Sequence, residues 1–309
     1  MPSVHGMHHV TAIAGPPQEN RDFYVKTLGM RLVKRSVNQD DPGTYHLFYA
    51  DAAGSPGTDL TFFPWLDPHP PRMGVGLAVE VGLAVAPDTL GDWSKRLERA
   101  GVSIDAITTR FGERVLPLRD PHGLQIALVE TADRAFTPWD DSPVPVELQI
   151  RGLHHARVWE RELEPTAAFL KSTLGFSSAG EEGGWHRFES DGGGSGAHLD
   201  IRALPDERRG AWGTGTVHHI AWRVRDEAEQ LEVREAVERA GRRPTEVIDR
   251  FWFRSVYFLE PGGVLFELAT DGPGFAIDED AGHLGERLIL PPWLERHRDE
   301  IERRLPPLP

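Results

Sequence analysis

Three histidine pairs open short apolar runs in this chain: GMHHVTAI at 6–13, GLHHARVW at 152–159 and TVHHIAWRV at 216–224. Imidazole is the commonest metal ligand among side chains and the one whose proton moves near neutral pH, so a repeated pair raises metal or acid–base chemistry. Side chains alternate across a regular strand, so one member of each pair can serve a site and the other must face away. In HHIAWRV the apolar set Ile220, Trp222 and Val224 marks the side that packs on a helix, and His218 shares its parity. His219 then points with Ala221 and Arg223 into a concave face. In HHVTAIA the same reasoning sends Val10, Ala12 and Ala14 to the helix and leaves His9 and Thr11 on the concave face.

A third donor stands in EPGGVLFELATD at 260–271, where Glu267 lies between Phe266 and Leu268. A carboxylate inside an apolar strand is costly unless it is paired or metal-bound. His9, His219 and Glu267 together give two imidazoles and one carboxylate, the set that leaves positions open on non-haem Fe(II).

Internal repetition tests that assignment. FYVKTLGM at 23–30 matches FLKSTLGF at 169–176, and the same spacing carries His8-His9 onto His154-His155. LERAGV, TRFGER and DPHG match VERAGR, DRFWFR and EPGG 140 residues later. That spacing places Ala127 opposite Glu267, and Val79 or Glu80 opposite His219. A purely structural pair would be expected in both copies, so the asymmetry favours a site role. His155, which lacks the carboxylate partner, reads as a vestigial or structural histidine, with Asp200 and Glu80 as the groups that could give it a weak second site.

The elements that position these residues form four units, each a strand, a helix and two or three strands. The fold class expected is α+β, with four βαβββ modules paired into two domains: residues 1–135, a Pro- and Asp-rich linker 136–147, and residues 148–272. An extension at 273–309 follows, with a helix carrying Leu294, His297, Ile301 and Leu305 on one face. SDGGGSG at 190–196 lacks the Gly-Lys-Ser/Thr of a phosphate loop and reads as a hairpin turn.

Composition narrows the partners. The chain has 309 residues, no cysteine and a net charge of -14, so thiolate metal sites and disulfides are excluded and nucleic acid is disfavoured. No apolar run approaches a membrane span and no secretory leader is visible, which makes the cytoplasm the expected location. A small molecule is the expected partner, and self-association as a homo-oligomer is compatible with the sequence.

The opening HHVTAIAG, the stretches GTVHHIAWRV and DRFWFRSVYFLEPGGVLFELATDGPGF and the tail LPPWLE together resemble the vicinal oxygen chelate superfamily. That group includes glyoxalases, bleomycin-resistance proteins and extradiol dioxygenases, and the whole chain looks most like its hydroquinone ring-cleaving dioxygenases, the 2,6-dichlorohydroquinone 1,2-dioxygenase type. The resemblance implies open cup-shaped mixed sheets, Fe(II) or Mn(II) on His9, His219 and Glu267, dioxygen as co-substrate and a small aromatic substrate. It also implies that Tyr257 and Arg250 line the pocket, with His8, Thr11 and His218 supporting it. Strand parity opposes a role for His218 unless the strand is bulged there. Arg250 repeats as Arg110, which suits a structural ion pair as well as a phenolate partner, whereas Tyr257 repeats as Pro117.

Three functions share such a scaffold. A glyoxalase-type lyase or isomerase uses carboxylates as ligand and base, ideally from both modules of a cup, and TDLTFFP offers Thr61 at the inward position and Asp59 only near its start. A metal-free binder needs no triad. A catechol-type extradiol enzyme draws all three ligands from the second half, whereas the first ligand here is residue 9.

Overall fold

The structure, a computed structural model, describes residues 3–65, 70–132 and 134–309. The first module comprises β1 (Met7–Ala14), α1 (Pro17–Arg21), β2 (Arg31–Asn38), β3 (Asp41–Ala50) and β4 (Asp59–Pro64). The second comprises β5 (Leu77–Val85), α2 (Leu90–Arg99), β6 (Thr108–Arg110), β7 (Glu113–Arg119) and β8 (Gln125–Glu130). The third comprises β9 (Gly152–Glu160), α3 (Glu164–Thr173), β10 (Ser177–Glu182), β11 (Trp185–Glu189) and β12 (His198–Ala203). The fourth comprises β13 (Val217–Val224), α4 (Glu227–Arg239), β14 (Ile248–Asp249), β15 (Arg254–Leu259) and β16 (Leu265–Thr270). Each module is therefore βαβββ. The first helical segment widens into a π-helix over Asp22–Thr27, which buries the consecutive Phe23 and Tyr24 together.

The modules combine differently from the order of the chain. One eight-stranded sheet runs β14-β15-β16-β13-β1-β4-β3-β2 and the other β10-β11-β12-β9-β5-β8-β7-β6. Modules one and four share the first sheet, and modules two and three share the second. The segments 1–135 and 148–272 are thus halves of the sequence, and each gives one module to each sheet. All four modules begin with the same kind of strand, so repetition does not say which two such strands become neighbours.

Both central seams are bulged. Along β1 and β13, Met7 pairs with Trp222 and His9 with Ala221, which leaves His8 as an extra residue; Thr11 pairs with His219 and Ala12 with Val217, which leaves His218 as another. The β5–β9 seam repeats the pattern, with Val79 and His154 as the extra residues. A bulge sets two residues against one and breaks strict alternation.

The helices cover the convex faces. Leu90, Trp93 and Leu97 of α2 are buried at helical spacing, as are Val233 and Val237 of α4. Among the described residues no helix is long and apolar enough to cross a membrane. The chain ends in a single 3-10 turn, Glu295–His297, and α5 (Arg298–Arg304). Ile301 and Leu305 are buried there, but His297 is exposed, because the change of helical type after residue 297 turns it away from the expected face. The segment before α5 is tied down by Lys34, a fully buried side chain that donates to Asp278, Glu279 and the Phe275 carbonyl and lies 5.2 Å from the Trp252 ring.

One buried acidic pair gives a pH signature remote from the concave face of the first sheet. Glu260 accepts from Thr166 Oγ1 and from the Gly262 and Val264 amides, whereas neither carboxyl oxygen of Glu160 has a hydrogen bond. Burial and then the neighbouring Glu260 push the Glu160 carboxyl up to about 9. The unfolded chain loses this proton near pH 4.5 and the folded chain holds it, so stability falls as pH rises from about 4.5 towards 9. Glu160→Gln is expected to flatten that slope, so that its stability relative to wild type rises between pH 5 and pH 8. Thermal melts from pH 5 to 9 check this; an unchanged slope in the variant refutes it.

Candidate metal centre

On the concave face of the first sheet, three adjacent strands bring His9 of β1, His219 of β13 and Glu267 of β16 together, as the pairing of Ala221 with both His9 and Glu267 requires. All three are buried. His9 Nε2 and His219 Nε2 lie 3.2 Å apart, and they stand 3.2 and 3.0 Å from Glu267 Oε2. Ser255 donates to Glu267 Oε1, whereas Oε2 has no partner in hydrogen-bonding geometry despite the two nearby nitrogens. An orphaned buried carboxylate oxygen facing two imidazole nitrogens fits a cation at the point they share. Bonds of about 2.1 Å place neighbouring donors roughly 3.0 Å apart on an octahedral face and roughly 3.4 Å apart in a tetrahedron, so these separations fall in the range that one shared cation requires. Burial pushes the Glu267 carboxyl up, but His9 and His219 more than offset it and hold it well below the usual range.

The bulges give each ligand a histidine behind it. His8 Nδ1 is 2.9 Å from His9 Nδ1, and His218 Nδ1 is 2.8 Å from His219 Nδ1. With Nε2 turned to the centre, each ligand carries its proton on Nδ1 and donates it to the outer imidazole, which fixes tautomer and ring orientation. These tautomers follow from the hydrogen-bond network. His8 is packed behind the centre against Phe253 and is bonded to the Thr270 backbone. Burial, and then His9, bring its pKa down to about 3.

His218 departs from its expected place. Strand parity sends it to the helix face, but the bulge turns it into the cavity, where it stacks on Trp212 at 4.4 Å. Burial, then His219, likewise hold it near 3, so it is neutral and its Nε2 carries a proton.

A cavity of about 380 Å³ opens above the triad, a volume suited to one small aromatic ring. Phe48, Phe63, Ile248, Trp252, Phe253 and Leu265 give it apolar walls. Tyr257 lines it from β15, its ring 5.5 Å from that of His219. Burial and then Glu267 push the Tyr257 phenol up, so it keeps its proton and can donate it. The Arg250 guanidinium lies 5.5 Å from the Tyr257 ring and pairs with Asp40 at the mouth, at 3.2 and 2.8 Å. Burial opposes its charge, but the Asp40 carboxylate outweighs burial and keeps it protonated. Arg250 therefore holds an ion pair and lines the cavity at once.

Thr11 faces the concave side but does not line the cavity. Its hydroxyl is 2.7 Å from Thr61 Oγ1, which is 2.9 Å from His46 Nε2. His46 was absent from the residues singled out in the sequence, and so was Asp40. The period-2 pattern of YHLFYA puts His46 and Phe48 on one face, a signal that becomes informative once β3 is known to lie beside β4.

The second cup has the same frame with different contents. Glu80 occupies the position of His219 and stands 3.2 Å from His155 Nε2, while Ala127 occupies that of Glu267. Arg110 binds both oxygens of Glu80, and Arg157 and Arg187 bind Asp200. Ion pairs fill the space that the first cup leaves open.

Comparison with known proteins agrees with this architecture. The profile of the Glyoxalase/Bleomycin resistance protein/Dioxygenase superfamily matches residues 6–128 and 152–268. MhqO of Bacillus subtilis, by name a candidate ring-cleaving dioxygenase, is 42% identical over 302 residues, covering 98% of this chain and 96% of that protein. A chlorohydroquinone/hydroquinone 1,2-dioxygenase of Sphingobium indicum is 34% identical over 311 residues, covering 98% and 96%. The crystal structure of a candidate dioxygenase from Bacillus subtilis superposes with a TM-score of 0.94 at 41% identity, covering 100% of this chain and 99% of that one.

Proposed function

The chain belongs to the Glyoxalase/Bleomycin resistance protein/Dioxygenase superfamily, within a set of ring-cleaving dioxygenases, and from that premise we propose that it opens the ring of hydroquinone or a substituted hydroquinone, using Fe(II) or Mn(II) and dioxygen. The observation that carries this reading is the orphaned Glu267 Oε2 faced by two imidazole nitrogens at the separations of donors that share one cation. Two imidazoles and one carboxylate suit iron or manganese and catalytic zinc alike, and it is the ring-cleaving dioxygenases among the relatives that favour a redox-active ion. The name of the Sphingobium relative supports hydroquinone as the substrate class.

When bound, such an ion supplies open positions for a phenolate and dioxygen and the redox capacity that joins them. The remaining work falls to side chains of this chain. His9, His219 and Glu267 hold the ion on one side and leave the other facing the cavity. Arg250 favours the ionised form of the substrate hydroxyl. Tyr257 donates a hydrogen bond to oxygen at the reacting end, and the Nε2 proton of His218 gives a second donor there. The aromatic and aliphatic walls exclude water and orient the ring.

The glyoxalase-type alternative fits less well. Its second carboxylate belongs on β4, where the inward residue beside the centre is Thr61, already bonded to Thr11 and His46. A catechol-type extradiol enzyme remains the nearest competitor, and substrate comparison separates the two. Protein purified without oxygen is expected to contain near one iron or manganese per chain and to consume oxygen with hydroquinone faster than with catechol. Stoichiometric zinc or nickel without oxygen uptake would overturn the reading.

A further inference from the structure

We propose that His46 presents its Nδ1–H to the hydroxyl oxygen at the far end of the substrate ring, and so makes the site selective for phenols with a second hydroxyl para to the first. The inference rests on the hydroquinone reading above and assigns that class of substrate to one residue.

The proton on Nδ1 follows from counting donors along the chain from buried Thr11 and Thr61 to half-buried His46. Among the described residues the Thr11 hydroxyl bonds only to Thr61 Oγ1, so its proton has to be donated there. The Thr61 proton is then free for His46 Nε2, which accepts it at 2.9 Å. The opposite direction would leave the Thr11 proton without an acceptor in a fully buried position, which is costly. A neutral imidazole that accepts at Nε2 carries its hydrogen at Nδ1. Burial keeps His46 neutral, and the Arg250 charge acts the same way.

Position then gives that N–H its use. The sheet order β15-β16-β13-β1-β4-β3 sets His46 two strands beyond His9, on the side of the triad away from Tyr257. Strands lie about 4.8 Å apart, so β3 is roughly 10 Å from β1 along the curved sheet. The imidazole is fixed by Phe48 at 3.9 Å and Phe63 at 4.4 Å between ring centroids. Its Nδ1 has no partner among the described residues and opens on the cavity. Among the other polar groups of the lining, Gln39 donates to the Arg250 carbonyl, Asp40 pairs with the Arg250 guanidinium, and Thr245 Oγ1 and Asn38 Oδ1 accept from the Tyr257 and Asp40 amides. His218 serves the reacting end beside His219. A ring anchored at the triad therefore meets, at its far edge, a donor held in place between the Phe48 and Phe63 rings. A para hydroxyl satisfies it. A catechol, with both oxygens at the near end, and a simple phenol leave it unpaired, and sites built to bond a hydroxyl discriminate against ligands that lack it.

The test compares binding of hydroquinone and phenol to the protein as purified, without oxygen, following quenching of the tryptophan fluorescence to which Trp252 of the cavity wall contributes. Wild type is expected to prefer hydroquinone by roughly 10- to 100-fold. His46→Leu is expected to bring that ratio to within about threefold of unity while phenol affinity stays within about threefold of wild type. His46→Gln, which retains a donor, should recover part of the preference. Thr61→Val, which leaves the imidazole in place but frees its tautomer, should lower the preference with less disturbance of packing. An unchanged ratio in both His46→Leu and Thr61→Val overturns the inference, as does a wild type with no preference. A wild type that prefers hydroquinone in binding but never consumes oxygen with it overturns the proposed function and leaves the role of His46 standing.

Discussion

Glu267→Ala is expected to lose stoichiometric metal and ring-cleaving turnover together, with metal affinity lower by at least about 10³-fold and oxygen uptake below about 0.1% of wild type. Two imidazoles remain, but the anionic ligand that neutralises part of the ion's charge is gone. The fold should survive, because the matching strand of the second cup already carries Ala127 at this place. A ligand that binds only the folded state stabilises it by about 2.7 kcal/mol at 100 times its dissociation constant. Wild type should therefore melt higher when Fe(II) or Mn(II) is added without oxygen, and Glu267→Ala should not. Metal analysis and paired melts decide the matter: a variant that keeps full metal content would remove Glu267 from the centre, and one that fails to fold even without metal would make the residue structural.

Tyr257→Phe separates chemistry from assembly. The phenol lies on β15 beside the Glu267 strand and does not belong to the ligand set. Its removal is expected to slow turnover roughly 10²–10³-fold, the usual scale for one donor aimed at developing charge, with metal content within twofold of wild type. Stopped-flow oxygen consumption with excess hydroquinone, paired with metal analysis on the same sample, provides the comparison. Equal loss of metal and rate would reassign Tyr257 to holding the centre together. Because burial and Glu267 raise its pKa, the variant should also leave the alkaline limb of the rate profile below pH 9 unchanged.

Much of the centre is legible in the chain because its signals are local. The parity of His9 against Val10 and of Glu267 against Phe266 follows from the alternation of side chains on a strand, and the structure sets all three donors on one face. The asymmetry of the repeat also carries through: where the first cup has Glu267 and an open cavity, the second has Ala127 and a set of arginine ion pairs. Parity fails at His218 because a bulge is a property of two paired strands, and the partner of β13 is a strand some 210 residues away in sequence, as its His9–His219 contact indicates. The same cause hid His46. Its face relative to the centre depends on β4 lying between β3 and β1, and no spacing within YHLFYA expresses that order.

The four modules, the alternation within each strand and the unequal distribution of His, Glu and Ala between the repeats are written locally along the chain, since covalent geometry and short-range periodicity set them. The joining of module one to module four, the bulges at His8 and His218, the reach of Arg250 to Asp40 and that of His46 to Thr61 arise only when distant strands pair. Those outcomes depend on which strand edges, among four nearly equivalent ones, bury the most apolar surface when paired, and that is a comparison between whole arrangements of the chain.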